Sequence, residues 1–397
     1  MSHIDRRQAL KLFAALGAAG LTAACNRSSG VETATPAARN QIRIGMIAPQ
    51  TGGDKPIGDD IVRGFRLFLD LNGGQIGGHP VELVVADEGD SVDTGKAALD
   101  GLLKQGVLAL TGVVNSDVMA AIRDTVEQAR VPLIGSNASP SAMQGVVYIW
   151  RTSYVNTEPG LALGPYVARQ IGADGRVGII APNYEAGHDS VDGFRTGFGK
   201  TDPRLLPPVW TEFTTAPTRT FFREKIDQMR AAKPTVIYCF YAGLPAVEFL
   251  KQLWEDGYRG YIYAPGFLTE GTVLDEFEHE ADNVYTALNY SPDLDNAANR
   301  QFATAFRNTY NATPTTYAVA SYDAAQVLQA ALRLTPGNPT SAAVNQALGR
   351  IGQIDSPRGG WQLNQTRTPQ QRWYLRQVQK DGPVLANVLL SELATLG

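Results

Sequence analysis

Along this chain, apolar residues recur on two spacings that take turns. Ile42-Arg43-Ile44-Gly45-Met46-Ile47 alternates and then runs apolar, the pattern of a buried strand. Over residues 58–72 the apolar positions Ile61, Val62, Phe65, Leu67, Phe68, Leu69 and Leu71 keep helical spacing, and Gly73-Gly74 marks the stop. The same pair of patterns then repeats. It predicts strands at 81–86, 107–111 and 131–134, with helices at 94–104 and 117–129. After a helix at 159–170, strands at 176–181, 209–213, 235–241 and 261–264 interleave with helices at 189–198, 221–231 and 246–257. A strand at 284–288 precedes two helices, 296–310 and 317–334. Beyond them, Trp361-Gln362-Leu363 and residues 372–378 alternate like exposed antiparallel strands.

Repeated strand–helix units imply parallel sheets covered by helices on both faces. The units are too many for one compact sheet, so the pattern predicts two lobes. The break at 150–156 suits a crossing between them, and further crossings are expected near 285–290 and 351–357.

Ahead of the first strand, Arg6-Arg7 precede Gln8-Ala9-Leu10-Lys11, and an apolar stretch runs from Leu12 to Ala24. This is the charged start and short apolar centre of an export signal. The stretch is too short to span a hydrocarbon core of ~30 Å as a helix. The arginine pair followed by Leu-Lys resembles a twin-arginine signal. Thr22-Ala23-Ala24-Cys25 resembles a bacterial lipobox, with Thr22 where leucine is usual. A lipid on Cys25 would hold the protein to a membrane face; the alternative is an unmodified cysteine near a cleavage site. Residues 26–40, rich in Ser, Thr, Ala and Pro, read as a flexible tether.

Composition narrows the function. A hydrophobic share of 44 % and a charged share of 19 % are those of a globular protein. The net charge of −4 gives no global basic field, and nucleic acid is not expected as a partner. Of the two cysteines, Cys239 sits in an apolar run and reads as a small core residue. His3, His79, His188 and His279 have no ligand spacing, so no metal and no cofactor are expected. Asp87, Glu88, Asp90 and Asp93 form an acidic cluster, read as a solvated loop, with calcium as the alternative. No strand is followed by a Gly-x-Gly-x-x-Gly, Walker-type or Gly-x-Ser-x-Gly sequence, which argues against an enzyme.

Several local patterns carry a family resemblance. They are Ile44 to Gly52 with its Pro49-Gln50-Thr51-Gly52 turn, Gly73-Gly74 before Ile76-Gly77-Gly78, and Val84 to Asp87. Thr111 to Ser116, Val131 to Pro140 and Trp150-Arg151-Thr152 complete the set. Taken in order, over residues 41–380, they resemble the type I periplasmic binding proteins for branched-chain amino acids and related solutes. The resemblance implies an α/β fold of two doubly wound parallel-sheet lobes joined by a three-stranded hinge. Lobe one would comprise 41–153 and 287–352, lobe two 154–286 and 353–397, after a signal at 1–25 and the tether at 26–40. It also implies a substrate-binding protein of an ABC transporter, working as a monomer in the periplasm or on the outer face of the membrane. Its partners would be a small-molecule solute and the permease subunits. A sensing module that presents its closed form to a receptor is the alternative.

In doubly wound sheets ligands bind off the carboxyl ends of strands. Ser116 follows a strand and opens a helix, so its hydroxyl and the first helical N–H groups suit a carboxylate; Ser116 or Asn115 can equally be the helix cap. Ala138 and Ser139 follow the next strand, as a ligand loop or a polar turn. Tyr184 is a candidate for an aromatic wall, against a surface tyrosine. Tyr241 or Ala242, and Phe267, follow two further strands. The resemblance places an acidic partner for an α-ammonium near Gly266, and none stands there. Unless Glu185 or Glu270 takes that role, an organic or aromatic acid or a neutral amide suits as well as an amino acid. Ile57, where relatives often carry an aromatic residue, also points to a changed pocket.

Overall fold

The computed structural model describes residues 40–397, apart from 144, 278, 280 and 383. The leader, the tether up to residue 39 and Cys25 lie outside the described residues.

The first lobe grows from β1 (Ile42–Ala48), an apolar strand buried on both faces. It pairs in parallel with β3 (His79–Asp87) and β4 (Ala109–Gly112), so that Ile44 faces Leu83 on one side and Ala109 on the other. With β2 (Gln75–Ile76), β5 (Leu133–Gly135) and β6 (Ile149–Arg151) the order is β2-β3-β1-β4-β5-β6. The connecting helices are α1 (Lys55–Leu71), α2 (Val92–Lys104) and α3 (Ser116–Ala129). Each start is written locally. α1 has Pro56 in its first turn, and α2 has a capping box of Ser91 and Thr94.

The second lobe repeats the plan through α4 (Glu158–Gln170), β7 (Val177–Pro182), α5 (Glu185–Phe198), β8 (Val209–Thr211) and α6 (Arg223–Ala231). It continues with β9 (Val236–Cys239), α7 (Gly243–Glu255), β10 (Tyr261–Pro265), α8 (Val273–Phe277) and β11 (Val284–Leu288). The chain then returns to the first lobe as α9 (Ala297–Tyr310), α10 (Thr316–Arg333) and α11 (Ser341–Leu348). α10 lies so close to α1 that a Cβ on Gly64 would stand 2.0 Å from the carbonyl oxygen of Ala318; only glycine allows the contact. Finally β12 (Gln353–Ile354), β13 (Trp361–Leu363), β14 (Pro369–Asp381) and β15 (Val384–Leu396) join the second sheet. Its order is β12-β13-β14-β11-β10-β9-β7-β8, with β15 on β14.

The three passages between lobes are tied at one carbonyl. The oxygen of Ser153, just after β6, accepts hydrogen bonds from Asn289 Nδ2 at 3.0 Å, Arg358 Nη1 at 3.0 Å and Gln371 Nε2 at 2.9 Å. Asn289 and Arg358 lie on or beside the other two passages and Gln371 on β14, so the hinge is a bonded unit and not three loose strands. Two buried ion pairs flank it, Arg358–Asp323 at 3.1 Å and Arg376–Glu270 at 2.7 Å.

One expectation changes. The C-terminal strands are antiparallel, as the alternation predicts, but not exposed: Trp361, Trp373 and Arg376 are buried, because β14 runs between β11 and β15. β11 stays within the second sheet as far as Leu288.

Candidate ligand-binding site

The carboxyl ends of both sheets face each other across a cavity holding about 820 Å³ of free space, counted out to its mouth. Asn115, Ser116 and Ala138 reach it from the first lobe. Tyr184, Tyr241, Ala242 and Phe267 reach it from the second. Ser139 does not: its side chain is buried behind the wall and its hydroxyl has no partner among the described residues. The neighbouring Asn137 lines the cavity instead.

Nine of the lining residues are aromatic. Tyr184 stacks on Phe213 with centroids 4.2 Å apart, and Tyr154 leans on Phe267 at 5.2 Å. Phe267 continues to Tyr317 at 6.1 Å and to Phe240 at 6.2 Å. Burial pushes the phenols of Tyr154, Tyr184 and Tyr317 far up, so they stay neutral hydrogen-bonding groups. The sequence reading missed Tyr154, Phe213 and Tyr317. Tyr154 lies within the first passage, and that position is the signal that could have marked it; Tyr317 opens α10, which α9 separates from the second passage, so it carries no such local signal.

Helix amino ends border the cavity, among them α3 at Ser116, α5 just after Tyr184 and α7 just after Ala242. Their dipoles favour negative charge there. Asn115 is the cap of α3, its side-chain oxygen accepting from the N–H groups of Asp117 and Val118 at 2.8 and 3.4 Å. Ser116 Oγ accepts from Asn156 Nδ2 at 3.1 Å, which leaves its own proton to donate. Among the described residues no Lys, Arg or His lines the cavity. The two acids at its edge are Glu212, exposed, and Asp54, whose carboxyl is pushed up to about 7 by burial and then by the charge of Asp90.

Neither glutamate offered for an α-ammonium stands in the wall. Glu270 is spent on Arg376 and on the N–H of Thr316, 2.9 Å away. Glu185 lies outside the lining. The acidic cluster is a solvated loop only in part, since Asp90 and Asp93 are exposed and Glu88 is not. Glu88 is fully buried and its carboxyl is pushed up to about 8, burial outweighing the N–H bonds from Asn115 and Val114. Among the described residues no group of three or more His, Cys, Asp or Glu could hold a metal ion, and no helix is long and apolar enough to cross a membrane. Cys239 is buried, and burial raises its thiol well above the ordinary value.

The lobes also touch directly. The Ser141 N–H donates to Asp189 at 2.8 Å, the Thr215 hydroxyl to Asp90 at 3.1 Å, and the Glu185 N–H to Asp117 at 3.3 Å. Each bond joins a group of the first lobe to one of the second.

Two sheets opposed across a cavity, with three passages between them, are the architecture of a two-lobed solute-binding protein. Residues 41–383 match the periplasmic binding protein family, and the chain belongs to that family. A curated relative, the Leu/Ile/Val-binding protein homolog 6 of Brucella melitensis, is 23 % identical, the match covering 87 % of this chain and 90 % of the relative. A benzoate-bound ABC-transporter solute-binding protein from R. palustris superposes with a TM-score of 0.82 at 27 % identity, over 89 % of this chain and 97 % of that one. The isoleucine-bound substrate-binding protein LivJ of Streptococcus pneumoniae shares the fold, with a TM-score of 0.75 at 19 % identity, over 88 % of this chain and 99 % of that one.

Proposed function

We propose that this chain is the exported solute-binding component of an ABC importer, and that its solute is an aromatic carboxylic acid. The observation that carries the ligand class is the wall itself. Aromatic rings line the cavity, helix amino ends border it, and the glutamate available for an α-ammonium is spent in the hinge. An aromatic carboxylate fits each of these. Its ring packs between the phenyl and phenol groups, and its charge meets Ser116 and the dipole of α3. A free amino acid would need a counter-charge for its ammonium that neither Glu185 nor Glu270 supplies, leaving only Asp54 and Glu212 at the edge, and an ammonium left unpaired there costs several kcal/mol. The benzoate complex of the R. palustris relative supports the same class.

Thermal melting of the soluble portion with benzoate, leucine and isoleucine tests the ligand. At a hundredfold excess over Kd, a ligand that binds only the native state adds about 2.7 kcal/mol. A rise of several degrees is expected with benzoate. A rise with leucine or isoleucine and none with benzoate would overturn the ligand class. The permease partner, the monomeric state and the periplasmic or outer-face location belong to the same proposal, as does the lipid on Cys25. Fractionation tests the anchor: wild type is expected with the membranes and Cys25→Ser in the soluble fraction. Equal partition of both would remove the lipid.

A further inference from the structure

Glu88 lies immediately behind the amino end of α3. It follows β3, yet its side chain turns inward and is completely buried. Both of its oxygens are engaged by the loop after β4: Oε2 accepts from the N–H of Val114 and Oε1 from that of Asn115, each at 2.8 Å. This loop is under backbone strain. Val113 has φ of +67°, a left-handed conformation that a β-branched residue rarely adopts. Its N–H is fixed on the carbonyl oxygen of Ile47 at 2.7 Å. Such a conformation persists only where the surroundings over-determine it. The two bonds to Glu88 are placed to do that, on the residues that directly follow.

The bonds also decide which donors remain. Glu88 takes the amides of Val114 and Asn115, and the Asn115 side chain takes those of Asp117 and Val118. No acceptor for the Ser116 amide stands among the described residues, and Ser116 lines the cavity.

We propose that Glu88 is a positioning residue for ligand capture: it pins the strained turn at Val113 so that the amide and hydroxyl of Ser116 are the donors presented to the carboxylate of the solute. The inference rests on the reading of the cavity as a carboxylate site. Glutamine at 88 has nearly the same shape but accepts at only one end, and sets an NH₂ group against the other amide. The turn then relaxes and Ser116 loses its aim.

The test is a double-mutant cycle of Glu88→Gln and Ser116→Ala, read by calorimetric titration with benzoate and, separately, with leucine. Glu88→Gln is expected to weaken binding by roughly tenfold. In the Ser116→Ala background the same change is expected to cost clearly less, because the group it acts through is already impaired. A purely structural glutamate would lower both backgrounds alike, so losses that multiply would overturn the proposal, as would an unchanged affinity in Glu88→Gln. Should the wild type bind leucine and not benzoate, the aromatic reading falls, while the cycle run with leucine's carboxylate still decides the role of Glu88. Binding of neither acid overturns both. Hydrogen exchange on the wild-type protein gives a second check that needs no variant. The amides of Val114 and Asn115 are expected to be strongly protected, and exchange at the rate of open loops would exclude the bonds to Glu88.

Discussion

Replacing Glu270 by alanine is expected to destabilise the folded chain by about 3–5 kcal/mol. The guanidinium of Arg376 is fully buried, and Glu270 is its counter-charge at 2.7 Å. Arg376 would keep only neutral partners, among them the carbonyl oxygen of Tyr290 at 3.2 Å and the Thr286 hydroxyl at 3.3 Å. The loss also reaches the other lobe, because the second Glu270 oxygen holds the N–H of Thr316 at the start of α10. Urea unfolding checks the size of the effect, and a cost below about 1 kcal/mol would show that water reaches the guanidinium. Changing both partners to apolar residues, Glu270→Leu with Arg376→Met, is expected to be far milder than the single change, since no charge is left stranded. This pair explains why the glutamate is not free to meet an ammonium: the hinge uses it.

How much of this was legible in the sequence depended on distance along the chain. β1, α1 and the later strand–helix units are written in stretches of ten or twenty residues. Their apolar spacing, the glycine pair after α1 and the cap at Asn115 can each be read where they stand. The cavity positions of Ser116 and Tyr184 follow from the same local rule, as residues of the strand-to-helix turns after parallel strands. The partners of Glu270 do not. Arg376 lies 106 residues away, and nothing near either residue announces the other. Glu88 failed for a related reason. Four acids close together read as a solvated loop, and only the fold brings two backbone amides from 26 and 27 residues further on to one of them. The burial of β14 was hidden because β15, its outer neighbour, has no clean period-2 pattern in Val384–Leu396. Ser139 and Asn137 stand two places apart in one loop, and which of them faces the cavity is set by the path of the backbone, not by residue type.

The second large effect is expected at Gly53, a residue that does not line the cavity. It precedes α1 in the first lobe, and a Cβ there would stand 1.9 Å from the carbonyl oxygen of Thr215, which follows β8 in the second. The obstacle is backbone, so no side-chain rotation relieves it. Gly53 is not among the glycines with positive φ, so alanine suits its own backbone and, within the first lobe, costs little. The clash exists only when the lobes come together as they do here, with the Thr215 hydroxyl on Asp90. Gly53→Ala therefore separates closure from folding. A ligand whose binding-competent state is populated only 1 % of the time loses about a hundredfold in apparent affinity. A loss of that order is expected for Gly53→Ala, with the melting temperature of the unliganded protein almost unchanged. Scattering with saturating ligand is expected to show a wider particle than wild type. Wild-type affinity in this variant would mean that the solute is held without the approach of Gly53 to Thr215, and that binding does not require the lobes to meet at this edge.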